Sequence, residues 1–198
     1  MYKRKDAFYT RAKATGFRSR AAFKLVQLVQ RTQLLRRGAC VVDLGAWPGG
    51  WLQVAAQQVG PSGRVVGVDL QPVEPLAEKN VSLVCGDISD PRVQQQVAQL
   101  CGGRADVILS DLAPRLSGVK ARDEAQAQAL ADSVLEWANA LLKPEGTLVV
   151  KLFMSDELPR YLRTLRERFR EVRTTRPEAT RKGSAEIYAI ARGFVAPN

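Results

Sequence analysis

Five ionisable residues sit against apolar runs, where charge is rarely placed for solubility alone. Asp43 follows Val41-Val42, Asp69 follows Gly67-Val68, Asp87 follows Val84-Cys85-Gly86, Asp111 follows Ile108-Leu109-Ser110, and Lys151 follows Leu148-Val149-Val150. Carboxylates at strand ends can hydrogen-bond the hydroxyls of a ribose, neutralise a cationic ligand or hold Mg²⁺. A lysine inside an apolar strand suits proton transfer or the steering of an oxygen lone pair. The chain has no histidine. Acid–base chemistry therefore falls to Asp, Glu, Lys, Tyr or Cys, and the commonest metal ligand is missing. No metal site is expected.

The stretch VVDLGAWPGGW, residues 41–51, would position these groups. It reads as a buried strand, a tight loop through Gly45, Gly49 and Gly50, and a helix opening at Trp51. Small residues there let the backbone approach a ligand. The loop lacks the GxGxxG spacing of dinucleotide binders, and Pro48 removes one backbone N–H from any phosphate cradle. A carboxylate after the second strand, at Asp69, suits a ribose. Asp87, after the third, suits adenine. Together these features point to an adenosine cofactor without phosphate that carries positive charge, S-adenosylmethionine.

The elements follow from periodicity. Ser19 is the expected N-cap of a helix through AAFKLVQLVQ, which carries Lys24 beside its apolar stripe. Strands are expected from Ala39, at 64–70, 80–88 and 105–114, and at 147–153 after a turn at Pro144-Glu145-Gly146. Helices are expected at 51–59, 90–101, 123–142 and 156–168. Two final strands, 169–176 and 185–192, are joined by a basic loop and should be antiparallel. Alternating strands and helices imply a doubly wound, Rossmann-like α/β fold with a mostly parallel sheet.

Net charge is +10, unevenly spread. Residues 1–24 hold eight Lys or Arg against one acid, and residues 160–182 hold nine against three. Two basic segments flanking a mildly acidic body predict a polyanion footprint, most simply RNA. Tyr2, Phe8, Tyr9 and Phe17 lie among the N-terminal bases, where aromatic residues can stack on unpaired bases. Residues 1–17 read as a basic arm or short helix, and 18–198 as one domain. Three cysteines without CxxC spacing, with Cys40 and Cys85 in apolar runs, are expected as reduced thiols, those two buried. No run is long and apolar enough to span a membrane, and no signal peptide is recognisable. A cytoplasmic monomer is expected.

Seven motifs in order, RSRAAFKL, VDLGAWPGGW, GVDLQP, GDISD, SDLAP, VVKLF and SAEIY, resemble the FtsJ/RrmJ family of ribosomal RNA ribose 2′-O-methyltransferases across residues 8–192. The resemblance implies a seven-stranded class I methyltransferase sheet with an antiparallel C-terminal strand. It implies a catalytic tetrad of Lys24, Asp111, Lys151 and Glu186, with Lys151 as proton acceptor or steering residue. Taken singly, Lys24 also reads as a solvated helix lysine, Asp111 as a strand-end cap and Glu186 as an exposed strand residue. The implied cofactor contacts are Asp43, Gly45, Gly49, Gly50, Trp51, Asp69 with Leu70, Asp87 with Ile88, and Asp111. The implied substrate is a uridine of 23S rRNA in the large ribosomal subunit; transfer RNA and mitochondrial rRNA are the alternatives. The chain departs from the family at Trp47, where a small residue is usual, at Arg115, and in FMSDEL after the strand lysine. A nicotinamide-dependent oxidoreductase would share Asp69 but not the loop. An RNA-binding protein without catalysis would not need Lys151, and a small-molecule methyltransferase would not need two basic flanks.

Overall fold

Helices alternating with parallel strands must cover both faces of their sheet. The computed structural model, which describes residues 7–114, 117–181 and 183–196, has that architecture. In chain order the elements are α1 (Ala7–Ala14), α2 (Ala22–Thr32), β1 (Cys40–Leu44), α3 (Gly50–Val59), β2 (Arg64–Asp69), β3 (Val81–Cys85) and α4 (Pro91–Cys101). Then come β4 (Ala105–Ser110), α5 (Lys120–Leu141), β5 (Leu142–Phe153), α6 (Leu158–Arg168), β6 (Phe169–Thr175) and β7 (Glu186–Phe194). The sheet order is β3-β2-β1-β4-β5-β7-β6. β1 to β5 run parallel, and β7 is antiparallel to both β5 and β6. The order reverses between β1 and β4, so the crevice for a ligand lies outside their carboxyl ends.

The two-residue period of the strands sorts their side chains between two cores. Val42 and Leu44 of β1, with Leu148, Val150 and Leu152 of β5, pack under α4, α5 and α6. Val41 and Val149 face the other way, under α2 and α3. Lys151 shares the parity of Val149, so alternation alone turns it toward α2. The turn at Lys143–Gly146 lies inside the span of β5. Pairing with β4 jumps from Ala105↔Leu142 to Val107↔Thr147, and Glu145 has φ 63°.

Three expectations change, and the short-helix reading of the N-terminal segment holds. Ser19 does not cap α2: the cap position is Ala21, in helical conformation and without a side-chain hydrogen bond. Ser19 supplies a carbonyl to the N–H of Ala22 instead. Cys85 is exposed at the end of β3, the edge strand of the sheet, whereas Cys40 and Cys101 are buried. β3 ends at Cys85, so Asp87 stands beyond the strand. The N-terminal segment includes a helix that packs: Phe8 and Phe17 lie 5.7 and 5.4 Å from the Phe23 ring of α2. Tyr2 and Arg115 lie outside the described residues. No described helix is long and apolar enough to cross a membrane.

Candidate functional site

Four elements bring Lys24, Asp111, Lys151 and Glu186 together at the carboxyl edge. α2 carries Lys24, β5 carries Lys151, and Asp111 follows β4 directly. β7 begins at Glu186, opposite Phe153, and two residues on Tyr188 stands opposite Lys151. Lys24 Nζ lies 3.0 Å from Glu186 Oε2 and 3.7 Å from Asp111 Oδ1. Lys151 Nζ lies 3.1 Å from Asp111 Oδ1 and also donates to the Asp111 backbone carbonyl. Both lysines are 8% exposed. Charges this buried persist only when paired, and here each ammonium faces a carboxylate.

Tyr188 completes the cluster and is absent from the tetrad drawn from sequence. Its hydroxyl donates to Asp111 Oδ1 at 2.6 Å. Burial first, and then the Asp111 charge, push this phenol well above its usual range, so it remains a donor. Lys24 Nζ sits 5.6 Å from its ring centroid, within cation–π range. Tyr188 could have been found: it lies two residues after Glu186 and so on the same strand face. Asp111 is the hub, since one carboxylate oxygen meets Lys151, Tyr188 and, at longer range, Lys24.

Across the edge, the glycine loop joins β1 to α3. Gly45 has φ +85°, and a Cβ there would come within 2.8 Å of the Leu112 side chain. Both the conformation and the close approach require glycine. Gly49 has φ +110° at the N-cap of α3. The amides from Gly45 to Gly49 are already committed. Gly45 and Ala46 donate to the Val68 carbonyl, Gly49 donates to Ala46, Trp47 donates to Asp69 Oδ2 at 2.9 Å, and Pro48 has no N–H. The nearby Arg18 guanidinium is spent on the carbonyls of Pro48, Glu74 and Pro75. The carboxylate of Asp69 at this edge suits ribose hydroxyls and a cationic ligand better than the charge of a pyrophosphate. These residues therefore fit S-adenosylmethionine.

The other cofactor positions differ in accessibility. Asp69 closes β2, and its carboxylate accepts the N–H groups of Trp47 and Gln71. Leu70 beside it is exposed. Asp87 is exposed and takes the Ser89 N–H and hydroxyl, which hold its carboxyl below the usual range. Ile88 is partly buried, and its carbonyl accepts the Trp137 indole N–H at 2.8 Å. Trp51 is buried: its indole donates to the Ala21 carbonyl, and its ring lies 6.0 Å from that of Tyr188. Gly50 has no room for a Cβ beside Ser19. Asp43 is fully buried and neither oxygen has a partner. Burial, then Asp111 and Asp69, raise its pKa well above the usual carboxylate range. Trp47 is half exposed and uses only its backbone N–H in these contacts. Among the described residues, no group of three or more His, Cys, Asp or Glu could hold a metal.

The basic tract 160–182 is divided by the fold. α6 starts at the carboxyl edge and runs away from it, and β6 returns. Arg170 therefore pairs with Glu145 at the far end of the sheet. Arg160 pairs with Glu157, and Arg173 with Glu171. The loop 176–185 comes back to the tetrad edge. It is tied to α2 by Arg20 on the Ala179 carbonyl, by Gln27 accepting the Ala179 N–H, and by Arg31 on Glu178. Of the C-terminal bases, Arg176 and Arg181 belong to this loop.

The chain resembles known methyltransferases over nearly its whole length. The model of the FtsJ-like methyltransferase family matches residues 17–194. Ribosomal RNA large subunit methyltransferase E of Methanobrevibacter smithii is 41% identical over 194 residues, covering 98% of this chain and 92% of that protein. A crystal structure described as a ribosomal RNA methyltransferase from Plasmodium falciparum superposes with a TM-score of 0.80 at 26% identity, covering 91% of this chain and all of that one. Aeropyrum pernix fibrillarin, solved with natively bound S-adenosylmethionine, shares the fold at a TM-score of 0.62 and 17% identity, over 86% and 75% of the two chains.

Proposed function

The chain belongs to the FtsJ-like methyltransferase family, and from that premise we propose that it methylates a ribose 2′-hydroxyl of ribosomal RNA, at a uridine of 23S rRNA in the large subunit. S-adenosylmethionine, when bound, supplies an electrophilic methyl group on a sulfonium. The observation that carries the reading is the convergence of Lys24, Asp111, Lys151 and Glu186 beside a glycine loop edged by Asp69.

The residues divide the work. Gly45, Gly49 and the edge of Asp69 and Asp87 hold the cofactor, while Asp43 and Trp51 support them from beneath. Asp111 holds Lys151 Nζ by two contacts, its carboxylate and its carbonyl. A tetrahedral nitrogen so held keeps one direction open: the lone pair of an amine or the third N–H of an ammonium. Either meets the ribose oxygen, as proton acceptor or as steering donor. Lys24 and Glu186 frame the ribose and keep Asp111 oriented. Alignment of oxygen with methyl contributes much of the rate. The arm of 1–24 and the loop carrying Arg176 and Arg181 neutralise phosphates, so RNA affinity falls steeply with salt.

The test offers labelled S-adenosylmethionine with unmethylated large subunits, naked rRNA and transfer RNA. Label in large-subunit rRNA, recovered in an alkali-resistant dinucleotide, is the expected result. Alkali-sensitive label on a base would overturn ribose methylation. Label in transfer RNA alone would overturn the substrate.

A further inference from the structure

A cavity of about 430 Å³ opens on the α5–α6 side of the tetrad. Apolar side chains dominate its wall: Pro114, Ala127, Ala131, Phe153, Met154 and Leu158. Gly45, Gly49, Asp69 and Asp87 do not line it, so it is separate from the cofactor edge. It adjoins the reacting groups through neighbouring residues. The Phe153 ring lies 6.0 Å from Lys151 Nζ, and Phe153 stands opposite Glu186 in the sheet. Ala185, next to Glu186, is on its rim, and Pro114 comes three residues after Asp111. Met154 is 60% exposed, an apolar side chain left to solvent beside the site.

Charge is segregated across the tetrad. The described wall of the cavity holds two acids and one base, Lys120. Asp123 is occupied by the N–H groups of Ser117 and Gly118, and Glu124 lies 3.7 Å from Lys120. Among the described residues, no arginine lines it. On the opposite side α2 and the 176–185 loop carry Lys24, Arg176 and Arg181. A ribose held at Lys151 has two kinds of substituent: charged phosphates and a flat, uncharged base. Phosphates belong with the arginines. The base belongs in an apolar space walled by an aromatic ring and thioether, and the volume is within the range of small-ligand pockets.

We propose that this cavity receives the unpaired nucleobase of the nucleotide being methylated, so that the protein acts on a strand whose target base is turned out of its stack. This deepens the reading of the chain as an RNA ribose methyltransferase and rests on it. Turning a base out exposes the 2′-hydroxyl beside it.

The test uses the shortest RNA that the wild-type protein methylates, and a matched RNA whose target nucleotide is an abasic ribose with its 2′-hydroxyl intact. Wild type should methylate the abasic RNA at least about 10-fold less efficiently in kcat/KM, the loss expected of a stacked base. Ala127→Trp, which fills the cavity, should lose a similar factor on ordinary RNA, lose nothing further on the abasic RNA, and keep wild-type affinity for S-adenosylmethionine. Met154→Glu, at an exposed position, repeats the test without touching the core. Equal rates of wild type on the two RNAs, or losses that multiply in the variants, overturn the cavity's role. If wild type methylates no RNA ribose at all, the reading of the reaction fails instead.

Discussion

The two halves of the carboxyl edge handle charge in opposite ways. On the β1–β2–β3 half, Asp69 and the exposed Asp87 bind main-chain N–H groups: Asp69 takes those of Trp47 and Gln71, and Asp87 takes that of Ser89. On the β4–β5–β7 half, Asp111 binds side chains from distant elements, Lys151 at 40 positions along the chain and Tyr188 at 77. Lys24 and Glu186 are 162 positions apart. The first half is a set of self-supporting loops around a cofactor. The second is a network in which each charge depends on another. The difference teaches that cofactor binding and methyl transfer should separate under mutation.

The largest effect should come from the network. Lys151→Ala is expected to lower methylation at saturating cofactor by at least about 10³-fold, measured in single turnovers, because it removes the group proposed to meet the ribose oxygen. Asp69→Ala should act on the other half. Its Kd for S-adenosylmethionine should rise about 10- to 100-fold, the loss of one or two carboxylate hydrogen bonds. Its turnover should return to within a few-fold of wild type once the cofactor saturates. A turnover defect that saturation does not rescue would merge the two halves.

Tyr188→Phe removes a hydroxyl donor from Asp111 and keeps the ring. Turnover should fall about 10-fold, one buried hydrogen bond's worth, with cofactor affinity unchanged. Because Tyr188 holds its proton far above neutral pH, the ratio of wild type to variant should stay flat from pH 6 to 9, a range set by ordinary tyrosine behaviour at about 10. Asp43 supplies a pH signature of its own. Its folded pKa is raised, so the folded protein holds a proton that the unfolded chain releases near about 3.9. Stability therefore falls as pH rises from that value, until folded Asp43 itself ionises. Asp43→Asn should flatten the slope of Tm against pH above 4 (approximately the unfolded value); an unchanged slope would show that Asp43 is ionised in the folded state. The smallest effect is expected at Trp47→Ala, less than about 3-fold in cofactor affinity, because the backbone N–H that meets Asp69 survives the substitution.

The same contrast explains what was legible in the sequence. The sheet was readable because apolar runs alternate with helical stripes, and the loop was readable because Gly45, Pro48 and Gly49 act within a few residues. Asp69 and Asp87 announce themselves at the ends of apolar runs. Lys24 did not: its neighbours fit an ordinary surface helix, and its burial depends on β7, contributed by the far end of the chain. Its role came only through family resemblance. Tyr188 was legible from strand parity but went unremarked beside Glu186. The division of the basic tract was not legible at all, since charge counts carry no direction, and only the antiparallel return of β6 separates Arg170 from Arg176. Ser19 misled because a good capping residue precedes the helix by more than one position, and the turn there is closed by its backbone carbonyl instead.

The separation of the two halves is tested most directly by calorimetric titration of S-adenosylmethionine into Lys151→Ala. The account predicts a Kd equal to that of wild type in a protein that no longer methylates rRNA. A Kd weakened as much as that of Asp69→Ala would contradict it, and would make Lys151 part of the cofactor site.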